Sequence, residues 1–111
     1  MKYFKAVAIN KTRMGDEWLS TICQERPHLG KDFIDNVICS AFWDMCYHGI
    51  DCTDIEIRVG TSEHEYGDRM DEILTIFLHT VVSDDCSEIY ADVSYLYNDV
   101  FHFIRRMTIG K

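Results

Sequence analysis

The sequence predicts an α+β fold that is mostly helical, in the order β-α-α-β-α-α, with about four helices on a small sheet of two strands. Two segments alternate between apolar and polar residues, which is typical of half-buried strands. Another segment fills an apolar helical face over four turns, and three more have apolar residues at helical spacing. The chain contains no run of 18 apolar residues, and we expect a single compact domain over residues 1–111.

The first two elements are predicted as a strand and a short helix. Residues 2–9, KYFKAVAI, alternate between two faces and predict the strand. Residues 15–27, GDEWLSTICQERP, predict the helix, which Pro27 would end. Its apolar residues have the spacing i, i+1, i+4 and i+5: Trp18, Leu19, Ile22 and Cys23.

The second helix has the clearest pattern in the chain. Eight apolar residues share one of its faces: Phe33, Ile34, Val37, Ile38, Ala41, Phe42, Met45 and Cys46. Asp32 is the predicted N-cap, and Gly49 occupies the place of a C-cap glycine. Residues 53–59, TDIEIRV, then alternate strictly and predict the second strand. Its buried side would carry Ile55, Ile57 and Val59.

Two longer helices complete the prediction. In residues 68–83, seven apolar residues between Met70 and Val82 occupy helical positions, which favours a helix. The many Ile, Val and Thr residues leave a buried strand over residues 70–82 as the alternative. Residues 84–107 predict the last helix. Asp85 and Glu88 resemble a capping box at its start, and arginines suit the helix dipole at its end.

The acidity of the chain indicates the kind of partner. The formal net charge is −8, and residues 32–104 alone contain sixteen Asp or Glu against two Lys or Arg. Such a surface repels nucleic acid and membrane phosphates and attracts a protein with a basic surface. The alternative is that the charge serves solubility alone. Five cysteines, an odd number, and no secretory signal favour reduced thiols in the cytoplasm.

A metal site is the main alternative from a different functional class. Cys46, His48 and Cys52 lie within seven positions, and His64 follows in an acidic loop. Structural zinc sites have four N or S ligands, commonly as two close pairs, whereas this trio lacks a second pair. The sequence also lacks a phosphate-binding glycine loop, a nucleophile elbow and an EF-hand loop. We therefore predict no metal, no cofactor and no catalysis; a small metal-binding regulator or enzyme using these four residues is the alternative.

Two predicted surfaces supply candidate partner-binding residues. The last helix would present one outward polar stripe: Glu88, Asp92, Tyr95, Asp99, His102 and Arg106. It has three carboxylates and no lysine to pair with them, so Glu88, Asp92, Tyr95 and Asp99 are predicted to contact a basic partner. Trp43, Asp44 and Tyr47 lie away from the apolar face of the second helix and are the second group. A further layer of core over the two aromatic residues is the alternative.

These features favour a non-catalytic acidic inhibitor that binds and blocks a basic, nucleic-acid-handling protein. In size, charge and predicted architecture the chain resembles phage-encoded anti-defence proteins, including anti-CRISPR and anti-restriction inhibitors that imitate the charge of DNA. That resemblance implies a nuclease or nucleic-acid-binding complex as the partner, in the cytoplasm of the host cell. The chain equally resembles immunity proteins that neutralise nuclease toxins, which is the alternative.

Overall fold

The computed structural model describes residues 2–12, 15–25, 30–48, 54–67 and 69–110. The described residues form six strands and one helix: β1 (Tyr3–Thr12), β2 (Gly15–Glu25), α1 (Gly30–His48), β3 (Asp54–Ser62), β4 (Asp71–Val82), β5 (Ile89–Tyr97) and β6 (Val100–Gly110). The prediction of a mostly helical protein with a sheet of two strands is wrong. No helix in these residues is long and apolar enough to cross a membrane.

All six strands belong to one antiparallel sheet in the order β2-β1-β3-β4-β5-β6. The strands from β3 to β6 follow one another as neighbours, so hairpins connect them. α1 links β2 to β3 across β1, and it packs on one face of the sheet. We call this face the covered face and the other the open face.

The hydrophobic core lies between α1 and the covered face. The sheet contributes alternate residues of four strands: Ala6, Ala8, Ile55, Ile57, Val59, Ile76, Leu78, Ala91 and Val93. The helix contributes one side of its surface: Phe33, Val37, Ile38, Ala41 and Met45. Side chains alternate between the two faces of a strand and return to the same side of a helix every 3.6 residues. Each element therefore buries one side in the core and has the other side directed away from it.

Three predicted elements are confirmed in type. The strand at residues 2–9 is β1, the strand at residues 53–59 is β3, and the second helix is α1. The predicted inward residues of β3 are almost completely buried, as the alternation required. Because α1 begins at Gly30, Asp32 lies in its first turn and is not the N-cap. Gly49, the predicted C-cap, lies outside the described residues.

The helix predicted at residues 15–27 is β2. It pairs with β1 along its whole length, from Tyr3 opposite Glu25 to Thr12 opposite Gly15. A bulge opposite Ala8 and Ile9 makes Leu19 an extra residue on β2. Because of this extra residue, the apolar residues of β2 have a spacing that resembles that of a helix. Pairing with β1 therefore outweighs the helical pattern of a segment that would be short as a helix.

The helix predicted at residues 68–83 is β4, and the alternative of a strand over residues 70–82 is correct. Ile76 and Leu78 are buried in the covered face, and Phe77 between them lies on the open face. The strand has apolar residues on both faces, so its sequence fills helical positions as well as strand positions. Its β-branched residues were the better guide.

The helix predicted at residues 84–107 is the hairpin of β5 and β6. Asn98 and Asp99 form its two-residue turn with φ of 51° and 62°. Positive φ at both positions is the geometry of a type I′ turn, in which Asn and Asp are favoured. The supposed capping box belongs to the β4–β5 turn, where the Asp85 carboxylate accepts hydrogen bonds from Ser83 and Ser87.

Candidate docking surface

The outer side of α1 carries two large aromatic side chains that the fold leaves uncovered. Trp43 is 73% exposed and Tyr47 is 86% exposed. They lie four residues apart, which makes them neighbours on the helix surface. The buried side of α1 fixes this register, because turning the helix inward at Trp43 would expose Phe33, Ile38 and Met45. The alternative of a second core layer over Trp43 and Tyr47 is therefore wrong.

Polar groups surround the two rings on the same helix. Asp44 is half-buried, lies one turn from Tyr47 and forms no ion pair with another residue that the structure describes. Asp32, Asn36 and Cys39 are exposed further along the helix. The aromatic pair thus has a polar, acidic surround. Chemically, this arrangement offers two stacking or packing surfaces with the carboxylate of Asp44 beside them.

The predicted stripe of the last helix does not exist, because its residues lie in a hairpin. Glu88 precedes β5, Asp92 lies on the open face, Tyr95 packs toward the core on the covered side, and Asp99 lies in the turn. Residues three apart on a strand point to opposite faces, so Asp92 and Tyr95 separate. The structure does not bring these four predicted residues together as one surface.

Asp92 is moreover neutralised within the sheet. Its two carboxylate oxygens accept hydrogen bonds from Nε and a terminal nitrogen of Arg106, at 2.6 and 2.8 Å. Chiefly these hydrogen bonds, together with the charges of Arg106 and His79, hold the pKa of Asp92 below its ordinary value. The same guanidinium lies 4.8 Å from the ring centroid of Tyr90, in cation–π geometry. A basic partner would compete with Arg106 for this carboxylate.

Other acidic residues of the open face are also paired. Lys11 contacts Asp16 at 2.8 Å and Glu56 at 3.5 Å, and Glu56 also contacts Arg58. His79 Nδ1 is hydrogen-bonded to a carboxylate oxygen of Asp54. An imidazole held by a carboxylate can act as a base, but in the described residues His79 has no hydrogen bond to a hydroxyl or thiol. These acidic residues of the open face are therefore engaged in internal ion pairs.

The alternative metal site is not assembled in the described part of the chain. Cys46 is half-buried near the end of α1, and this burial raises the pKa of its thiol. His64 lies in the β3–β4 loop, at the opposite end of the sheet. The side chain of His48 and all of Cys52 lie outside the described residues. Elsewhere in the described residues no three His, Cys, Asp or Glu side chains come close enough to share a metal ion.

Sequence reasoning missed the aromatic residues of the open face. Phe77 and Phe101 pack with ring centroids 5.7 Å apart, and Phe101 and Phe103 are 65% and 66% exposed. The alternation of FHF at residues 101–103 is the sequence signal for this placement, once the segment is treated as a strand. Trp18, on β2, is likewise 64% exposed.

Comparisons with protein-family models, with curated proteins and with solved structures give no match to this chain.

Proposed function

We propose that this protein is a non-catalytic acidic inhibitor that docks on a basic, nucleic-acid-handling protein through the outer side of α1. The observation that carries the proposal is the exposure of Trp43 and Tyr47 side by side on a rigid helix. Tyr and Trp are enriched among the residues that dominate binding energy at interfaces. A helix face also loses little conformational freedom when it is bound.

The unpaired charge beside these rings supports a basic partner. Asp44 lies next to the aromatic pair without an ion-pair partner among the described residues, whereas Asp92 and other carboxylates of the open face are paired internally. The net charge of −8 would attract a basic surface over longer distances. We therefore assign anchoring to Trp43 and Tyr47, and steering to Asp44 with the acidic surround.

Blocking is the action that this chemistry supports. A basic surface that handles nucleic acid binds phosphates, and an acidic protein seated there excludes them by charge and by volume. The proposed class includes anti-CRISPR and anti-restriction inhibitors, which would act in the cytoplasm of a host cell. In this assignment Glu88, Tyr95 and Asp99 are not needed for docking.

Capture experiments with paired variants test the proposal. Tagged wild-type protein, Trp43→Ala and Trp18→Ala would be used to capture partners from bacterial lysate, with Trp18→Ala as the matched control from the open face. We expect a basic nucleic-acid-binding protein that is retained by the wild type and Trp18→Ala and lost with Trp43→Ala. The purified partner should then lose DNA binding or cleavage when wild-type protein is added.

Two results would reject the proposal. One is a specific partner whose capture is unaffected by Trp43→Ala. The other is a partner whose nucleic-acid binding and cleavage continue when the wild-type protein is bound at saturation. A toxin nuclease as the captured partner would instead assign the chain to the immunity proteins.

A further inference from the structure

We propose that the protein forms a dimer with a second copy of itself, through antiparallel pairing of residues 100–104 of β6 about His102. Pairing of this kind would join two six-stranded sheets into one sheet of twelve strands. Such a dimer would form at the edge of the sheet, whatever the function of the outer side of α1.

The free edge of β6 supplies the backbone groups for such pairing. β6 is the last strand of the sheet, with β5 on one side and no other described strand on the other. An edge strand has a row of N–H and C=O groups that another strand can pair with. Soluble proteins commonly protect such edges with charges, prolines or short strands. β6 is eleven residues long and has no proline.

Three of the side chains at the start of β6 are apolar and exposed. Val100 is 53% exposed, and Phe101 and Phe103 are about two-thirds exposed. Phe77 on β4 extends the apolar patch inward through its contact with Phe101. Two copies joined at β6 would bring four exposed phenylalanine rings together. Such a patch at a sheet edge is the kind of surface that marks an interface.

The distribution of charge favours the edge of β6 over the edge of β2 as the place where a second copy pairs. Two molecules of net charge −8 repel each other over most of their surfaces. Residues 100–110 contain no Asp or Glu, whereas the other edge strand, β2, carries Asp16, Glu17 and Glu25. The positive charges of Arg105 and Arg106 are engaged by Asp35 and Asp92. Of the two edge strands, β6 is therefore the one that brings no carboxylate of its own to a pairing with a second copy.

The register follows from the bulge in β6. The irregularity between Val93 and Ser94 places Arg105 opposite Val93 and Phe103 opposite Ser94, which leaves Ile104 as the extra residue. Pairing along the full length of two β6 strands would place Arg105 against Arg105 of the second copy, with a bulge on both sides. Pairing centred on His102 instead sets Phe101 opposite Phe103 of the second copy, on the same face of the joined sheet.

Sedimentation measurements test the dimer. Wild-type protein, Phe103→Lys and Trp18→Lys would be compared over a concentration series in the micromolar range, each checked for folding by circular dichroism. Phe103→Lys places a charge in the proposed interface, and Trp18→Lys places the same charge on the opposite edge strand. We expect dimers of the wild type and of Trp18→Lys, and monomers of Phe103→Lys. A monomeric wild type, or a Phe103→Lys variant that still dimerises, would overturn the proposal.

Cross-linking tests the register, and it also serves if Phe103→Lys fails to fold. In the proposed pairing His102 faces His102 of the second copy, so His102→Cys places two thiols within the distance of a disulfide. Mild oxidation should link His102→Cys into covalent dimers well above the level seen with the wild type. The wild-type level measures the cross-linking that the exposed Cys39 and Cys86 contribute. Thr108→Cys is the matched control and should stay at the wild-type level. Equal cross-linking of both variants would refute the register.

Discussion

The two sides of α1 differ in what they do for the molecule. On the inner side Phe33, Ile38 and Met45 are each only 1% exposed and hold the helix to the sheet. On the outer side Trp43 and Tyr47 bury little of their surface. Burial of a large apolar side chain contributes a few kcal/mol to folding, and an exposed one contributes little. Substitutions on the two sides can therefore separate folding from binding.

Removal of an inner side chain should have the largest effect on stability. Phe33→Ala would leave a cavity beside Phe4, whose ring centroid lies 5.7 Å from that of Phe33. We expect a loss of about 3–5 kcal/mol in the free energy of unfolding, measured by chemical denaturation. Trp43→Ala should change it by less than about 0.5 kcal/mol. Equal losses in the two variants would show that the outer side is also part of the core.

Charge reversal compares an unpaired acid beside the outer side with a paired acid of the sheet. With a purified partner, Asp44→Lys should slow association by up to about tenfold and flatten its salt dependence, because charges near an interface steer the encounter. Asp92→Lys should leave association closer to the wild-type rate, since Arg106 already neutralises Asp92. Stopped-flow or surface-binding kinetics at several salt concentrations would measure both. A larger effect from Asp92→Lys would move the docking surface to the open face.

The same ion pair predicts a small dependence of stability on pH. Arg106 lowers the folded-state pKa of Asp92, so the stabilisation is present above the ordinary carboxyl pKa and is lost as the pH falls through the folded value. The pair is partly exposed, and we therefore expect its contribution to stability to be small. Arg106→Gln should therefore lose less stability than the wild type between neutral pH and acid. Identical acid unfolding of the two proteins would contradict this pairing.

The smallest expected effect concerns the turn before β5. Hydrogen bonds from Ser87 and Ser83, and from the backbone N–H of Ser87, lower the pKa of Asp85 to about 2. Ser87→Ala should raise this pKa toward its ordinary value, which an NMR titration of the side-chain carboxyl group would show. The lowered pKa stabilises the folded state at pH values above the ordinary carboxyl pKa. This stabilisation is lost as the pH falls toward about 2. An unchanged pKa in Ser87→Ala would contradict this turn.

Sequence patterns predicted the elements that have one dominant periodicity. α1 fills a helical face over four turns, and β3 alternates without exception, so both were found with the correct buried side. In β4 the apolar residues occupy both faces, which removes the alternation that distinguishes a strand. In the last hairpin the signal was the pair Asn98 and Asp99, whose left-handed turn ends β5 where a helix had been predicted.

The predicted positions of the candidate docking residues also depended on whether the element that carries them was predicted correctly. Trp43 and Tyr47 lie away from the apolar face of α1, as the helical pattern predicted, because the helix register was correct; their role in docking, and that of Asp44, stays a prediction. Asp92 and Tyr95 were grouped by helical spacing, and the strand sends them to opposite faces. The pairing of Asp92 with Arg106 joins residues of two strands whose register depends on the hairpin turn, and a helical interpretation excluded it.

The two tryptophans of the chain offer the most direct test of the claim that the outer side of α1 docks a partner. Both are mostly exposed, Trp43 on the helix and Trp18 on β2, so they match in chemistry and differ in place. The measurement is the dissociation rate and affinity of Trp43→Ala and Trp18→Ala for the purified partner. We expect faster dissociation and a loss of about 2 kcal/mol or more for Trp43→Ala, with Trp18→Ala close to the wild type. Wild-type affinity of Trp43→Ala would contradict it.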